Sequence, residues 1–355
     1  MGKRLKNIRE RMAREGYDSI LITKKHNVYY LSGFTGTAGV LFITMDDAYL
    51  ITDFRYIQQA KEQTLEFNVL KYEDTIWTTL NNLIRQNGLN NIAFESNHVT
   101  YNQYERMKRE IAEIQLIPTQ DIVEDLRIKK DEEEILTIER AARIADETFE
   151  HILDIIKPGI SERDIACELE YFMKQKGAEG IAFDTIVASG IRSALPHGVA
   201  DNKKIEKGDF VTLDFGCKLN RYCSDMTRTI VIGKPDEEQK KIYKTVFEAQ
   251  KAAREYVKSG LTGEEVDKVA RDIINLGGYE GLFGHGLGHG VGVEIHEAPR
   301  LAPGFKRKLE ENMVVTIEPG IYINGLGGVR IEDLVVITED GCRELSNSSR
   351  ELISV

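Results

Sequence analysis

The chain has 355 residues, room for two domains of ordinary size, and its 41 % hydrophobic and 30 % charged residues suit a packed core. The 47 Lys and Arg against 58 Asp and Glu leave a formal charge of −11, which argues against nucleic acid as a partner because phosphate contacts need basic patches. No apolar run reaches the ~18 residues of a membrane span, and the charged opening MGKRLKNIRERMAREG lacks the apolar centre of an export signal, so a cytoplasmic protein away from membranes is expected.

That opening reads as a surface helix with Leu5, Ile8 and Met12 on one face. The first third then alternates β-rich runs with helical patterns. Strands are expected over 17–23, 39–44, 48–52, 67–72, 91–95 and 114–118, and helices around 56–64, 76–86 and 101–111, an α/β layer domain. The segment 130–156 carries Ile135, Ile138, Ala142, Ala145, Phe149 and Ile152 at helical spacing, with acids at its start and Pro158-Gly159 at its stop. The domain boundary is expected just before it, giving domains 1–128 and 129–355. The second domain mixes strands and helices. Ser161 is the expected N-cap of a helix ending at Gly177. FVTLDFGCKL and RYCSDMTRTIVIG read as two strands joined by a turn near Asn220-Arg221. Helices follow at roughly 236–258 and 262–276, then strand runs at 314–323 and 327–338. The cysteines at 167, 217, 223 and 342 form no C-x-x-C pair and are expected to be reduced packing residues.

Four carboxylates interrupt these apolar strands: Asp214, Asp225, Glu318 and Glu332. Asp214 and Asp225 are expected at opposite positions of one hairpin, on the same side, where they repel unless a cation sits between them. Acids in such numbers are costly to bury unpaired, and divalent ions neutralise them. The stretch FGHGLGHGVGVEIHE adds His285, His289 and His296 within a backbone too rich in glycine for a helix, one built to approach something closely. With His289, five ligands exceed one tetrahedral zinc and suit two ions about 3.5–4 Å apart; Mn²⁺, Co²⁺ and Zn²⁺ all match the donors.

In that order and local context, Asp214, Asp225, His289, Glu318 and Glu332 resemble the "pita-bread" metallopeptidases. The phrases LPHG, SDMTRT, TIEPGIYI and GGVRIED are similar to the branch that cleaves before proline, Xaa-Pro dipeptidase (prolidase) and aminopeptidase P. The likeness extends to the N-terminal LSGFTGTAG and ITDFRY, whereas methionine aminopeptidases generally lack such a domain. The resemblance implies a creatinase-like α/β domain followed by an α+β catalytic domain, a homodimer, and a small peptide substrate with proline at its second position. It implies two divalent ions, Mn²⁺ first, with Asp214 on the second ion, Asp225 and Glu332 bridging, and His289 and Glu318 on the first. A hydroxide between the ions is the implied nucleophile and Glu318 its proton shuttle. His296 would hydrogen-bond the substrate carbonyl, His197 and His285 would line the pocket, and Arg330, two residues before Glu332, would share its side of the strand, orient the carboxylates and edge the substrate site. Arg300 is similar to an arginine that grips the free carboxylate in some dipeptidases, which favours a dipeptidase over aminopeptidase P. The remaining alternative is an inactive relative that kept the fold as a binding module; the complete ligand set speaks against it.

Overall fold

The computed structural model describes residues 2–111 and 114–355. The chain divides into two compact units, Met1–Arg127 and Ile128–Val355.

The first unit is built on a six-stranded mixed sheet in the order Asn68–Lys71, Ala48–Thr52, Val40–Thr44, Ser19–Ile22, Asn91–Glu95, Gln115–Thr119. Side chains alternate across it. Ile20, Leu41 and Leu50 pack with Leu5, Ile8 and Met12 of the helix Gly2–Glu15, whereas Leu21, Phe42 and Ile51 pack with Leu80, Leu83 and Met107. Both faces are therefore covered, which is why these strands read as continuous apolar runs rather than as alternations. Arg55 and Asp53 of ITDFRY form a two-point ion pair, with Nε to Oδ1 at 2.9 Å and Nη2 to Oδ2 at 2.7 Å.

The second unit has four long helices: Glu132–Leu153, Glu162–Gln175, Glu237–Tyr256 and Gly263–Ile274. Each starts in a capping box, led by Asp131, Ser161, Asp236 and Thr262 respectively, so the acid run at 131–134 is helix-start chemistry. The last helix ends in a π-helical turn, Asn275–Tyr279.

The site is carried by two long hairpins, and here the structure departs from expectation. Each hairpin is broken in its middle. In the first, Phe210–Phe215 pairs with Met226–Val231 and Cys217–Leu219 with Tyr222–Cys223, closed by Asn220 and Arg221 at φ 45° and 69°. Asp214 lies opposite Thr227, not opposite Asp225. Because Phe215 pairs with Met226 and Lys218 with Cys223, Asp225 falls opposite Gly216. The two acids are diagonal neighbours on one face rather than a facing pair; the two-residue turn fixes that register. A β-carbon at Gly216 would lie 1.9 Å from the Ser224 carbonyl oxygen, so the strands close tightly at the break. In the second hairpin, Val314–Ile317 pairs with Asp333–Ile337 and Gly320–Ile323 with Gly327–Arg330, in two separate sheets. Ile317 pairs with Asp333 and Gly320 with Arg330, so Glu318 falls opposite Glu332. Pro319 lacks an N–H and interrupts the ladder there; the Ile331 N–H reaches the Pro319 carbonyl at 3.4 Å. Each break frees a short piece of backbone at which acids turn away from strand pairing.

Candidate metal centre

The histidine stretch enters between these breaks. Gly288–Gly290 is a short strand paired with Val314–Ile317 and with Glu297–Leu301. A β-carbon at Gly288 would lie 2.0 Å from the Thr316 carbonyl oxygen, so glycine here lets the His289 backbone lie against the Glu318 strand. The Glu318 N–H donates to the Leu287 carbonyl at 2.8 Å, and the His289 N–H to Thr316 Oγ1 at 3.0 Å.

Asp225, His289 and Glu332 bring one ligand atom each to within 4.8 Å of one another. His289 Nε2 lies 3.4 Å from Glu318 Oε1 and 3.6 Å from Asp225 Oδ2. His289 Nδ1 sits 3.1 Å from the Gly290 carbonyl, the contact that puts the proton on Nδ1 and turns a bare Nε2 towards the acids. Burial, then the nearby His296, lowers the His289 pKa to about 4, so its imidazole is neutral at pH 7. Burial raises Glu318 to about 8. Asp225 is pushed well above the carboxylate range by burial and then by Glu332, Asp214 and Glu318. Glu332 is pushed the same way by burial and then by Glu318 and Asp214. Asp214 accepts from Arg330 Nη2 on Oδ2, while its Oδ1 is buried without a hydrogen-bond partner. Four crowded acids, an orphaned carboxylate oxygen and a neutral imidazole are a donor set short of positive charge, and divalent cations fit it.

The other expected residues are placed as follows. Asp214, Asp225, His197, His285, His289, His296, Arg300, Glu318, Arg330 and Glu332 all line one cavity of about 580 Å³, the size of small-molecule sites. His296 is exposed, with its ring 4.3 Å from that of His289, and His197 is exposed at the cavity wall. Arg300 pairs across the strands with His289 and thus projects on the same face; it is exposed. His285 is more constrained than a free pocket residue. Its Nδ1 meets the Gly286 carbonyl and its Nε2 the Tyr322 hydroxyl, both at 2.8 Å, and burial lowers its pKa to about 4. Arg330 is likewise engaged by the protein. Besides Asp214 it donates to Thr227 Oγ1 at 3.0 Å, Tyr322 Oη at 2.9 Å and the Pro196 carbonyl at 3.2 Å, which makes it a brace for Asp214.

Sequence reasoning missed the supporting residues. Thr227 Oγ1 donates to Glu332 Oε2 at 2.6 Å and Thr316 Oγ1 to Glu318 Oε1 at 3.1 Å. Thr227 and Thr316 each sit two residues from an acid, on the same strand face, and that spacing was the available signal. Lys130 and Glu297 form a buried ion pair at 3.3 Å, and Glu297 also accepts the Glu294 N–H at 2.9 Å, which shapes the turn carrying His296.

Such a donor set opening onto a substrate-sized cavity defines a metal-dependent hydrolase. Residues 4–129 match the creatinase/prolidase N-terminal domain and residues 137–339 match metallopeptidase family M24. The chain is 44 % identical over 355 residues to the Xaa-Pro dipeptidase of Pyrococcus horikoshii, covering 99 % of each. Among solved structures it is similar to an Xaa-Pro dipeptidase from Bacillus anthracis, with TM-score 0.98, 46 % identity and 99 % of each chain covered. An X-Pro aminopeptidase from Thermotoga maritima gives TM-score 0.92 and 40 % identity over 97 % of this chain and 100 % of that one. The chain belongs to metallopeptidase family M24, and it is a peptidase with the two-domain α/β and α+β architecture expected from its sequence. No helix among the described residues is long and apolar enough to cross a membrane.

Proposed function

We propose that the protein is a two-metal dipeptidase that hydrolyses the bond before proline in Xaa-Pro dipeptides. The observation that carries this reading is the convergence of Asp214, Asp225, His289, Glu318 and Glu332 in one cavity, with Arg300 on the same face as His289. Relatives that match over 99 % of this chain bear the name Xaa-Pro dipeptidase, which supports the substrate class.

Asp214, Asp225, His289, Glu318 and Glu332 would hold two divalent ions, Asp225 and Glu332 serving both, Asp214 one, and His289 with Glu318 the other. Mn²⁺ is the proposed ion, since four carboxylates against one imidazole make a hard, oxygen-rich set. When bound, the ions supply Lewis acidity and lower the pKa of water towards ~7. Glu318, half-buried at the cavity wall and held by Thr316, would accept a proton from the attacking water as the new C–O bond forms and return it to the imino nitrogen as the C–N bond breaks. That return is needed because the proline nitrogen leaves as a basic amine. His296 donates to the substrate carbonyl oxygen as it gains charge. Arg300 holds the carboxylate that follows the proline ring, and this contact makes the enzyme a dipeptidase rather than an aminopeptidase P.

The test is a rate comparison on Mn²⁺-loaded enzyme with Ala-Pro, Ala-Pro-Ala and Ala-Ala. Ala-Pro is expected to be fastest by kcat/KM. Arg300→Ala is expected to lower kcat/KM on Ala-Pro by about 10–100-fold, the worth of a charge-assisted hydrogen bond, and to leave Ala-Pro-Ala within a few-fold. Preference for Ala-Pro-Ala would reassign the protein as an aminopeptidase P, and equal rates on Ala-Pro and Ala-Ala would remove proline selectivity.

A further inference from the structure

Arg228, in the strand Met226–Val231, is a fully buried cation beside the metal centre to which the mechanism gives no task. All five of its guanidinium N–H positions are used. Nε donates to the Ser349 carbonyl at 2.9 Å, and Nη1 to the Thr227 and Glu332 carbonyls at 2.9 and 2.5 Å. Nη2 donates to Asp333 Oδ1 and to the Ser348 carbonyl, both at 2.8 Å. These acceptors belong to three stretches: the first hairpin, the break in the second hairpin, and the segment at 348–349. Glu332 is in turn held at three atoms by the Thr227-Arg228 pair. Its N–H donates to the Thr227 carbonyl at 3.1 Å, its carbonyl accepts from Arg228, and its Oε2 accepts from Thr227 Oγ1. The far side is backed as well. Asp333 also accepts from Gln250 Nε2 at 2.6 Å and from Arg350 Nε, and the Tyr243 hydroxyl lies 2.9 Å from the Arg350 carbonyl and 3.2 Å from that of Glu351.

We infer that Arg228 is a positioning residue for Glu332, locking the ligand of one broken hairpin to the other hairpin against a backing formed by residues 348–351. The inference rests on Glu332 being a metal ligand, as proposed above. Glu332 sits at a strand break, where ladder hydrogen bonds do not fix it, and its carboxylate is surrounded by like charge; Arg228 supplies the missing restraint through the backbone. Lysine at 228 would keep a charge opposite Asp333 but offers three donors on a flexible stem in place of a planar fork of five. In arginine the Glu332 and Ser349 carbonyls are served by two different nitrogens, Nη1 and Nε, whereas lysine carries all its donors on one.

The experiment is a Mn²⁺ titration of chelator-stripped full-length protein, read as bound metal by calorimetry and elemental analysis, alongside melting of the metal-free form and kcat and KM on Ala-Pro. Wild type is expected to bind two ions. Arg228→Lys is expected to bind at least one of them about 10–100-fold more weakly, the usual cost of losing an outer-shell partner, and to recover kcat at saturating Mn²⁺ with KM unchanged. Tyr243→Phe, which loosens only the backing, is expected to move the same midpoint by about 2–3-fold, within the net worth of one hydrogen bond. A purely structural arginine would lower the melting temperature and leave the titration superimposed on wild type, and that result overturns the inference. If Arg228→Lys does not fold, Tyr243→Phe decides: an unshifted midpoint overturns the inference and a shifted one supports it. Wild type that binds no Mn²⁺ would instead overturn the metal reading of the site and this inference with it.

Discussion

Glu95 in the N-terminal unit and Glu332 in the C-terminal unit are both buried acids at the end of an apolar strand run, and their surroundings are opposite in kind. Glu95 Oε2 receives the Thr23 and Lys24 N–H groups at 2.6 and 2.9 Å, and Oε1 receives Asn27 Nδ2 at 2.6 Å. Glu332 has one hydroxyl donor on its carboxylate, from Thr227, and faces the like charges of Glu318 and Asp214. The contrast sharpens one residue further along. Asp333 is buried too, yet Arg228, Arg350 and Gln250 surround it, and its pKa stays below the usual carboxylate value against the push of burial. Burial of an acid therefore does not mark a metal site; a deficit of donors and countercharge does.

That contrast breaks if acids of the two kinds respond alike to mutation. The largest effect is expected at Asp225, where Asn removes a carboxylate whose pKa is raised by burial and then by Glu332, Asp214 and Glu318. Asp225→Asn should lower kcat by about 1,000-fold or more at unchanged melting of the metal-free form, since metal catalysis supplies several kcal/mol; near-normal turnover with Mn²⁺ present would contradict the site. Glu95→Ala should do the reverse. It strands buried donors of Thr23, Lys24 and Asn27 and should cost about 3 kcal/mol of stability by calorimetry while leaving Mn²⁺ affinity at the wild-type value. A loss of metal binding would erase the distinction between the two acids.

A smaller effect concerns pH. In chelated protein, carboxyls with folded pKa above the unfolded value contribute stability that is complete below about pH 4.5 and is lost as pH rises through the folded pKa, about 8 for Glu318. His285 and His289, lowered to about 4, act with the opposite sign below pH 6.5 and are flat above it. Between pH 6.5 and 8 these histidines are silent; Glu318 alone should cost the metal-free protein on the order of 1–2 kcal/mol, Asp225 and Glu332 should add to that loss, and Mn²⁺ should flatten the part of the slope that these acids make. A metal-free melting temperature that rose over this interval would refute the assignment. A comparable effect is expected for Thr227→Val, which removes both the one hydroxyl on Glu332 and the acceptor of Arg330 Nε and should weaken Mn²⁺ binding about 5–30-fold, the worth of one to two hydrogen bonds.

Much of this was legible from the residues alone. The first unit's six strands and the helix face of Leu5, Ile8 and Met12 follow from apolar spacing, Ser161 from capping chemistry and the Asn220-Arg221 turn from its place between two apolar runs, although only Asn220 of the pair readily tolerates the positive φ that both adopt. The five acid and imidazole positions were legible as an ordered set. The hairpin breaks were not, because VVTIEPGIYI and VTLDFG read as single strands when only local pattern is considered; the break at Glu318-Pro319 is visible in hindsight through the missing N–H of Pro319. A tight hairpin predicts both acids on one side, which the structure has, but its turn at Asn220-Arg221 sets the register two residues away from a facing Asp214–Asp225 pair. Most partners of Arg228 and Arg330, among them Ser349 and Asp214, lie a hundred or more residues away, and no local signal in a single sequence reports those.

The clasp that Arg228 makes with Ser349 joins points 121 residues apart along the chain. On a nascent chain, all five proposed ligands are present once Glu332 has emerged, before the Ser349 carbonyl that anchors Arg228. If Arg228 positions Glu332 as inferred, the proposed site reaches its final geometry only after residues 348–349 have joined it, so carrying every ligand and holding an ion tightly are separate stages of the same chain.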